Sequence, residues 1–282
     1  MSIKLGKFNT LDVVKEVEFG MYLDGGEDGE ILLPKRYVPD DCAIGQSLDV
    51  FIYLDNEERL VATTLSPLIQ VGQFAYIRVA WVNEYGAFLE WGLMKDLFVP
   101  FREQKQKMQM GEKYIVYAYL DEESYRIVAS AKIERFLSKE KAPYAEGDEI
   151  DALIWQKTDL GFKVIVNNEY GGLLYDSEIF TPLHTGMRVK AYIKQVREDG
   201  KIDLVLQKGG FEKIDDFSEV LLQYIKDEGG RIMLNDKSPA EEIYEAFGVS
   251  KKTFKKSVGD LYKRHLIVLA DDSISLAESK RK

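Results

Sequence analysis

Cysteine and histidine are almost absent from this sequence: Cys42 is the single cysteine, and His184 and His265 are the two histidines. One thiol closes no internal disulfide, and two distant histidines make no His-rich or Cys/His metal site. Long uncharged apolar runs are missing too, so no membrane-spanning helix is expected. The opening residues, Met1-Ser2-Ile3-Lys4-Leu5-Gly6, lack the apolar core of a secretion signal. Together these absences lead us to expect a cytoplasmic protein. Basic charge is in short supply as well, with 38 Lys and Arg against 48 Asp and Glu and a net charge of −10. The deficit is uneven: residues 1–211 hold 25 basic and 34 acidic side chains, and residues 212–282 hold 13 and 14. Nucleic-acid binders draw much of their affinity from neutralising phosphates, so binding of that kind has to rest on local features here. The sequence also lacks a Gly-rich phosphate loop and a Ser/His or Cys/His pair. Its carboxylates fall mainly in turn positions such as 24–30 and 121–123, where they do not converge on a cation. No catalytic residue, metal or cofactor is therefore expected. What is there, 45% hydrophobic and 30% charged residues over 282 positions, fits a globular chain of more than one domain.

Internal similarity organises the first two thirds. Phe19-Gly20-Met21-Tyr22-Leu23 and Tyr85-Gly86-Ala87-Phe88-Leu89 both read aromatic, Gly, spacer, aromatic, Leu, 66 positions apart. The same offset carries Leu33-Pro34-Lys35-Arg36 onto Val99-Pro100-Phe101-Arg102, and Tyr53-Leu54-Asp55 onto Tyr119-Leu120-Asp121. After one inserted residue, Arg59-Leu60-Val61-Ala62-Thr63 matches Arg126-Ile127-Val128-Ala129-Ser130. A more diverged third copy follows at an offset of 75, placing Leu160-Gly161-Phe162-Lys163-Val164 against Tyr85-Gly86-Ala87-Phe88-Leu89. Within each copy apolar residues alternate and turn residues interrupt them, giving about five short strands in about 60 residues, the size of a small oligonucleotide-binding barrel. Gly20, Gly86 and Gly161 mark the sharp bends that such a barrel needs.

The Gly-x-aromatic-aliphatic motif, the Leu-rich strand after it and the hairpin ending in a basic residue resemble the S1-type RNA-binding domain of ribosomal protein S1. The resemblance covers residues 7–207 in three copies. It implies RNA lying across one barrel face, with two aromatics flanking the glycine stacked on bases and an acidic and a basic hairpin residue beside them. The aromatic pair is Phe19 and Tyr22 in copy one, and Tyr85 and Phe88 in copy two. The hairpin pair is Asp55 and Arg59, then Asp121 and Arg126. An aromatic face stacks on any base for about 1–3 kcal/mol, and a guanidinium meets phosphate or stacks. The family's usual histidine slot holds Pro34, Pro100 and Tyr175 here, so that contact is missing. Copy three puts Leu160 and Lys163 in the aromatic slots; it is either structural or binds by another geometry that uses Lys163 and Lys201 with Tyr170 and Tyr175. Each ring also has a plainer reading as barrel core, and each hairpin pair as a solvated ion pair.

From about residue 211 the spacing becomes helical. Phe217, Val220, Leu221, Tyr224 and Ile225 predict a first helix that Gly229-Gly230 ends, with a short strand at 231–234. Ser238-Pro239 opens a second helix with Ile243, Tyr244 and Phe247 inward, and Ser250 caps a third with Phe254, Val258 and Leu261 inward. A hairpin over 266–270 and 273–276 turns at Asp271-Asp272. This order resembles a winged helix-turn-helix. Its third helix would expose Lys251, Lys252, Lys255 and Lys256, either toward nucleic acid or as a solvated face. The expected fold is mostly β and multidomain: three tandem OB-fold (S1-type) five-stranded barrels followed by an α+β winged helix-turn-helix domain. The expected boundaries are 1–66, 67–132, a linker at 133–145, 146–210 and 211–282. That order resembles the CvfB/YitL family of bacterial RNA-binding regulators. The resemblance implies a non-catalytic post-transcriptional regulator with single-stranded RNA as partner and no membrane association. The alternatives are a winged-helix regulator on duplex DNA, a ribonuclease-associated accessory protein and a protein-interaction scaffold.

Overall fold

The computed structural model describes residues 2–179, 182–206, 212–270 and 272–277, the segment 212–216 by its backbone alone. The chain divides into two compact units, Met1–Ser138 and Lys139–Lys282. The first unit holds two barrels. One consists of β1 (Phe8–Val17), β2 (Gly20–Asp24), β3 (Glu30–Pro34), β4 (Ser47–Leu54) and β5 (Leu60–Thr63), closed in the order β1-β2-β3-β5-β4. The other, β6 (Phe74–Val82), β7 (Gly86–Leu89), β8 (Leu97–Pro100), β9 (Lys113–Leu120) and β10 (Ile127–Ser130), closes in the same sense. The second unit opens with the third barrel: β11 (Glu149–Thr158), β12 (Gly161–Val166), β13 (Tyr170–Tyr175), β14 (Arg188–Val196) and β15 (Ile202–Val205). In all three, the third and fifth strands pair in parallel and the other neighbours are antiparallel.

Each barrel's second strand begins on a glycine because a side chain has no room there. A Cβ on Gly20, Gly86 or Gly161 would lie 2.2, 2.3 or 2.1 Å from the carbonyl oxygen of Leu33, Val99 or Leu174. The first strand of each barrel carries a register shift at the matching place, between Val13 and Lys15, Val79 and Trp81, and Ile154 and Gln156. Such an irregularity bends the strand and re-aims the residues after it.

Alternation then separates inward from outward residues. On β4, Leu48, Val50 and Ile52 fill the first barrel's core, whereas Phe51 and Tyr53 point outward and are buried with Ala75, Ile77 and Trp91 of the second. Phe51 sits between Phe8 and Trp91, edge-on at 5.7 and 5.8 Å. The second barrel repeats the arrangement with its own follower: Tyr117 contacts Phe74 at 4.6 Å and stacks on Phe136 at 4.3 Å. Phe136 belongs to the stretch expected as a linker. That stretch begins with one 3-10 turn, Ile133–Arg135, anchored by buried Ile133 and by Arg135 donating to the buried Glu103 carboxylate at 3.0 Å.

The C-terminal region consists of α1 (Glu212–Asp227), β16 (Arg231–Ile232), α2 (Ala240–Phe247), α3 (Lys251–Lys263), β17 (Ile267–Leu269) and β18 (Ile274–Leu276). Its sheet order is β16-β18-β17. Leu221, Leu222, Ile225, Ile243, Phe254, Val258 and Leu261 form its core. The inward stripe of α1 lies one residue further on than expected, so Leu222 is buried and Val220 exposed. Tyr244 is exposed too, because the eight-residue α2 turns only the Ile243 and Phe247 side inward. Ser250 caps α3 as expected, its hydroxyl accepting from the Thr253 amide at 3.2 Å. Ser238 does not cap α2: its hydroxyl accepts from the Asn235 amide at 2.9 Å, and Pro239 occupies the cap position. Asp271 and the boundary expected at 210/211 lie outside the described residues. No helix among the described residues is long and apolar enough to cross a membrane.

Gly86→Ala should lower stability by about 1–3 kcal/mol, because the added methyl must push two paired strands apart. Gly259→Ala, inside α3 with nothing within 4 Å, should instead raise the stability of its unit by roughly 0.5–1 kcal/mol. Urea unfolding midpoints of the two variants should move in opposite directions.

Candidate nucleic-acid interface

The strand pairing lines up one outward row across each barrel. In the first the row is Lys15, Tyr22, Leu32, Val61 and Tyr53. In the second, the same positions hold Trp81, Phe88, Phe98, Val128 and Tyr119. In the third they hold Gln156, Lys163, Leu173, Asp203 and Gln195. The expected aromatic positions Tyr22 and Phe88 thus occupy equivalent places in the fold, with Lys163 as their counterpart.

In the first barrel Phe19 lies in the turn between β1 and β2 and is 57% exposed. It meets the half-buried Tyr22 edge-on at 6.3 Å, and the Lys15 ammonium stands 5.6 Å from the Tyr22 ring centre. The expected hairpin pair forms as a fork. Arg59 donates from Nε at 2.9 Å and Nη2 at 2.7 Å to the same Asp55 oxygen, and its Nη1 lies 2.9 Å from Glu57. Burial pushes the Asp55 carboxyl up, but hydrogen bonds from the Arg59 amide and guanidinium and from the Glu57 amide outweigh it. The group therefore sits below its ordinary value.

The second barrel brings all four of its expected residues, Tyr85, Phe88, Asp121 and Arg126, to the wall of one cleft of about 950 Å³. Tyr85 is 66% exposed at its mouth. Phe88 is half-buried and carries rings on both sides: Trp81 lies parallel at 3.7 Å and Phe98 tilted at 4.9 Å. Trp81 and Phe98 also line this cleft and were not reached by comparing the repeats, because the matching positions in copy one are Lys15 and Leu32. The Trp81 indole is fixed by donating from Nε1 to Asp96 at 2.9 Å.

The Asp121 and Arg126 side chains do not pair with each other, although the Asp121 amide donates to the Arg126 carbonyl at 2.9 Å. Asp121 accepts from the Ser124 hydroxyl at 2.7 Å and from Arg102 at 2.8 Å. The Ser124 hydrogen bond, with the Arg102 charge, outweighs burial and holds the Asp121 carboxyl below its ordinary value. Arg126 reaches back to Glu58 on the first barrel's hairpin, and Lys95 donates to the Asp55 carbonyl at 2.7 Å. The β4–β5 hairpin of the first barrel is thereby tied to the second barrel's face, and it contributes Asn56 and Glu58 to the cleft wall. Burial, reinforced by the Glu103 and Asp121 carboxylates, pushes the nearby Tyr119 phenol up to about 12.

On the third barrel, Lys163 lies 5.2 Å from the Trp155 ring centre, and Lys201 pairs with Asp199 at the hairpin tip at 2.8 Å. Tyr170 is buried in the core. Buried Asp203 accepts from Arg197 at 2.8 Å and Gln195 at 2.5 Å, and Arg197 also donates to the Tyr175 hydroxyl. On α3, Lys252, Lys255 and Lys256 are exposed, and Lys251 donates to the Lys237 carbonyl at 3.1 Å. Among the described residues no group of three or more His, Cys, Asp or Glu is placed to hold a metal ion.

Comparison with known proteins follows the same division. The S1 domain family model matches residues 5–65 and 71–132, and the CvfB-like winged helix domain model matches residues 219–276. The chain is 28% identical to YitL of Bacillus subtilis over 93% of its own length and 90% of that protein. It is 25% identical to conserved virulence factor B of Staphylococcus aureus over 95% of both. A crystal structure of a Streptococcus pneumoniae multidomain protein with nucleic acid binding domains aligns over 96% of this chain and 98% of that one, at 23% identity and a TM-score of 0.43.

The depressed Asp55 carboxyl makes a pH-dependent contribution to stability. A folded-state value below the unfolded one stabilises above about pH 4, and the contribution is lost as pH falls through the folded value. Asp55→Asn should therefore unfold at lower urea than the parent at neutral pH. The gap between the two midpoints should close as acidification passes through the folded-state value, below the ordinary carboxyl value of about 3.9.

Proposed function

We propose that this chain, which belongs to the CvfB/YitL family, is a nucleic-acid-binding regulator that holds single-stranded RNA by stacking bases on its first two barrels. The observation that carries the reading is a repeated exposed ring. Phe19 and Tyr85 stand at the same point of two successive repeats, at 57% and 66% exposure, each three residues before a partner on the outward row. Large rings left in water beside an ordered row of rings mark a surface that is covered in use. Stacking suits an acidic protein, because a base presents an uncharged face whatever the net charge around it. The S1 resemblance supports RNA over DNA as the strand.

The winged helix supplies the cationic part of the reading. Lys252, Lys255 and Lys256 project from a helix that begins on the Ser250 cap, immediately after the Gly248 turn with its positive φ of 66°. That placement also favours the second reading, a winged helix on duplex DNA. Lys163 and Lys201 would add cations on the third barrel, where each also faces a partner, Trp155 and Asp199. No catalytic step is assigned, and labelled RNA incubated with the purified protein and magnesium or manganese should stay intact.

Titrations of the intact chain with one sequence as single-stranded RNA, single-stranded DNA and duplex DNA separate the readings. RNA should bind tightest, and tightest binding to the duplex would replace the RNA reading with the DNA one. Changing Lys252 and Lys255 to Gln should weaken binding alike across sequences. It should also shallow the log–log salt slope by roughly 0.7 per lost contact on a single strand, or about 0.9 on duplex DNA.

A further inference from the structure

We infer that the base-stacking platform of the second barrel is Trp81, and that the strand it holds lies in the cleft walled on its other side by the first barrel's β4–β5 hairpin. This rests on the nucleic-acid reading above and names the atoms that would carry it. Symmetry between the repeats would choose Phe88 as the platform ring. Trp81 covers one of its faces at 3.7 Å with only 3° between the planes, and Phe98 approaches on the other side at 4.9 Å. A base needs a free ring face, so Phe88 supports the platform without being its surface.

Trp81 is the end of that column. It sits on β6 beyond Arg78, the last β6 residue that pairs with β9, so no strand flanks it on the side away from Phe88. It is 43% exposed, and among the described residues no other ring stacks on it. Two features hold it ready. Phe88 backs it, and Asp96 accepts from its Nε1 at 2.9 Å, which fixes the plane of the indole before any ligand arrives. An indole offers the largest π-face of any side chain, and here its orientation costs nothing on binding.

The cleft's volume and the cations at its edge fit a short single strand better than a lone small molecule. About 950 Å³ is at the upper end for an ordinary ligand pocket, and the cleft is open. Its edge carries Arg102 and Arg126, both more than half exposed on their side chains; Arg126 is turned to Glu58, and Arg102 to Asp121 at 2.8 Å with Glu123 at 3.8 Å. A guanidinium has five donors, so a phosphate can be met by those the carboxylate leaves over. The Arg126 contact with Glu58 and the Lys95 contact with the Asp55 carbonyl place the first barrel's hairpin across from this platform. One strand then touches both barrels.

Tryptophan emission reads this directly, since the chain has only three tryptophans. Trp91 is buried, and Trp155 lies on the third barrel. The intact protein is titrated with oligouridylate about ten nucleotides long, and in a parallel arm with the matching oligothymidylate, while labelled-oligonucleotide anisotropy reports binding independently. Binding should quench the emission, and Trp81→Phe should abolish the quench while anisotropy still reports binding. Trp81→Ala should weaken binding by the folded protein roughly 5- to 150-fold, beyond the modest loss of stability from the missing Phe88 stack. Quenching that survives in Trp81→Phe, or parental affinity in a folded Trp81→Ala, would overturn Trp81 as the platform while leaving the nucleic-acid reading in place. No anisotropy change with either oligonucleotide would overturn that reading and this site with it. A response in the thymidylate arm alone would keep the platform and remove RNA as its strand.

Discussion

In each barrel two paired strands approach so closely at the start of the second strand that a carbonyl oxygen occupies the place of a Cβ. Leu33, Val99 and Leu174 supply the oxygen, and Gly20, Gly86 and Gly161 make room for it. That approach draws the second and third strands together opposite the irregularity of the first, and it lets a five-stranded sheet close on itself. The outward rows depend on the same closure. Tyr22, Phe88 and Lys163 follow their glycines by two residues and therefore stand in one register with the residue after the shift, Lys15, Trp81 or Gln156.

One frame thus carries three different faces. The first barrel mixes an ammonium, two tyrosine rings and aliphatic groups, the second carries a column of three rings with Tyr119 beyond it, and the third is largely polar around buried Asp203. Ring pairs add about 0.5–1.5 kcal/mol each beyond the area they bury, so the second face is both stiff and adhesive. In the third, the Asp203 carboxylate engages Arg197 and Gln195, and a face occupied by its own hydrogen bonds offers less to a base. The division matches the weakening of the repeat along the chain.

Much of this was legible in the residues. Repeat anchors at fixed offsets gave the barrels, helical spacing gave the C-terminal region, and the Gly-flanking rings and hairpin charges of copy two do share one cleft. What escaped has identifiable causes. Trp81 follows a register shift, which breaks the alternation by which a strand residue is assigned a face. Its counterpart Lys15 is not aromatic, so comparison between copies gave no hint of a ring there. Asp121 and Arg126 occupy the hairpin positions of Asp55 and Arg59, but one more residue separates them, and Arg126 meets Glu58 rather than Asp121. Tyr244 and Val220 illustrate how one step of 100° moves a helical residue from core to solvent, which a short periodic run does not fix.

The outward side of β4 and β5 has a consequence for how the protein is made. Phe51, Tyr53 and Val61 are buried, but the residues that bury them include Ile69, Ala75, Ile77 and Trp91, all later in the chain. Synthesis runs from the N-terminus, so the first barrel has its full set of strands at Thr63 while this apolar surface still lacks its cover. For the interval in which the next repeat emerges, the nascent protein shows the ribosome exit and any waiting chaperone a sticky flank that the finished molecule hides. The flank stays open until the second repeat, complete only at Ser130, has been made and packed against it.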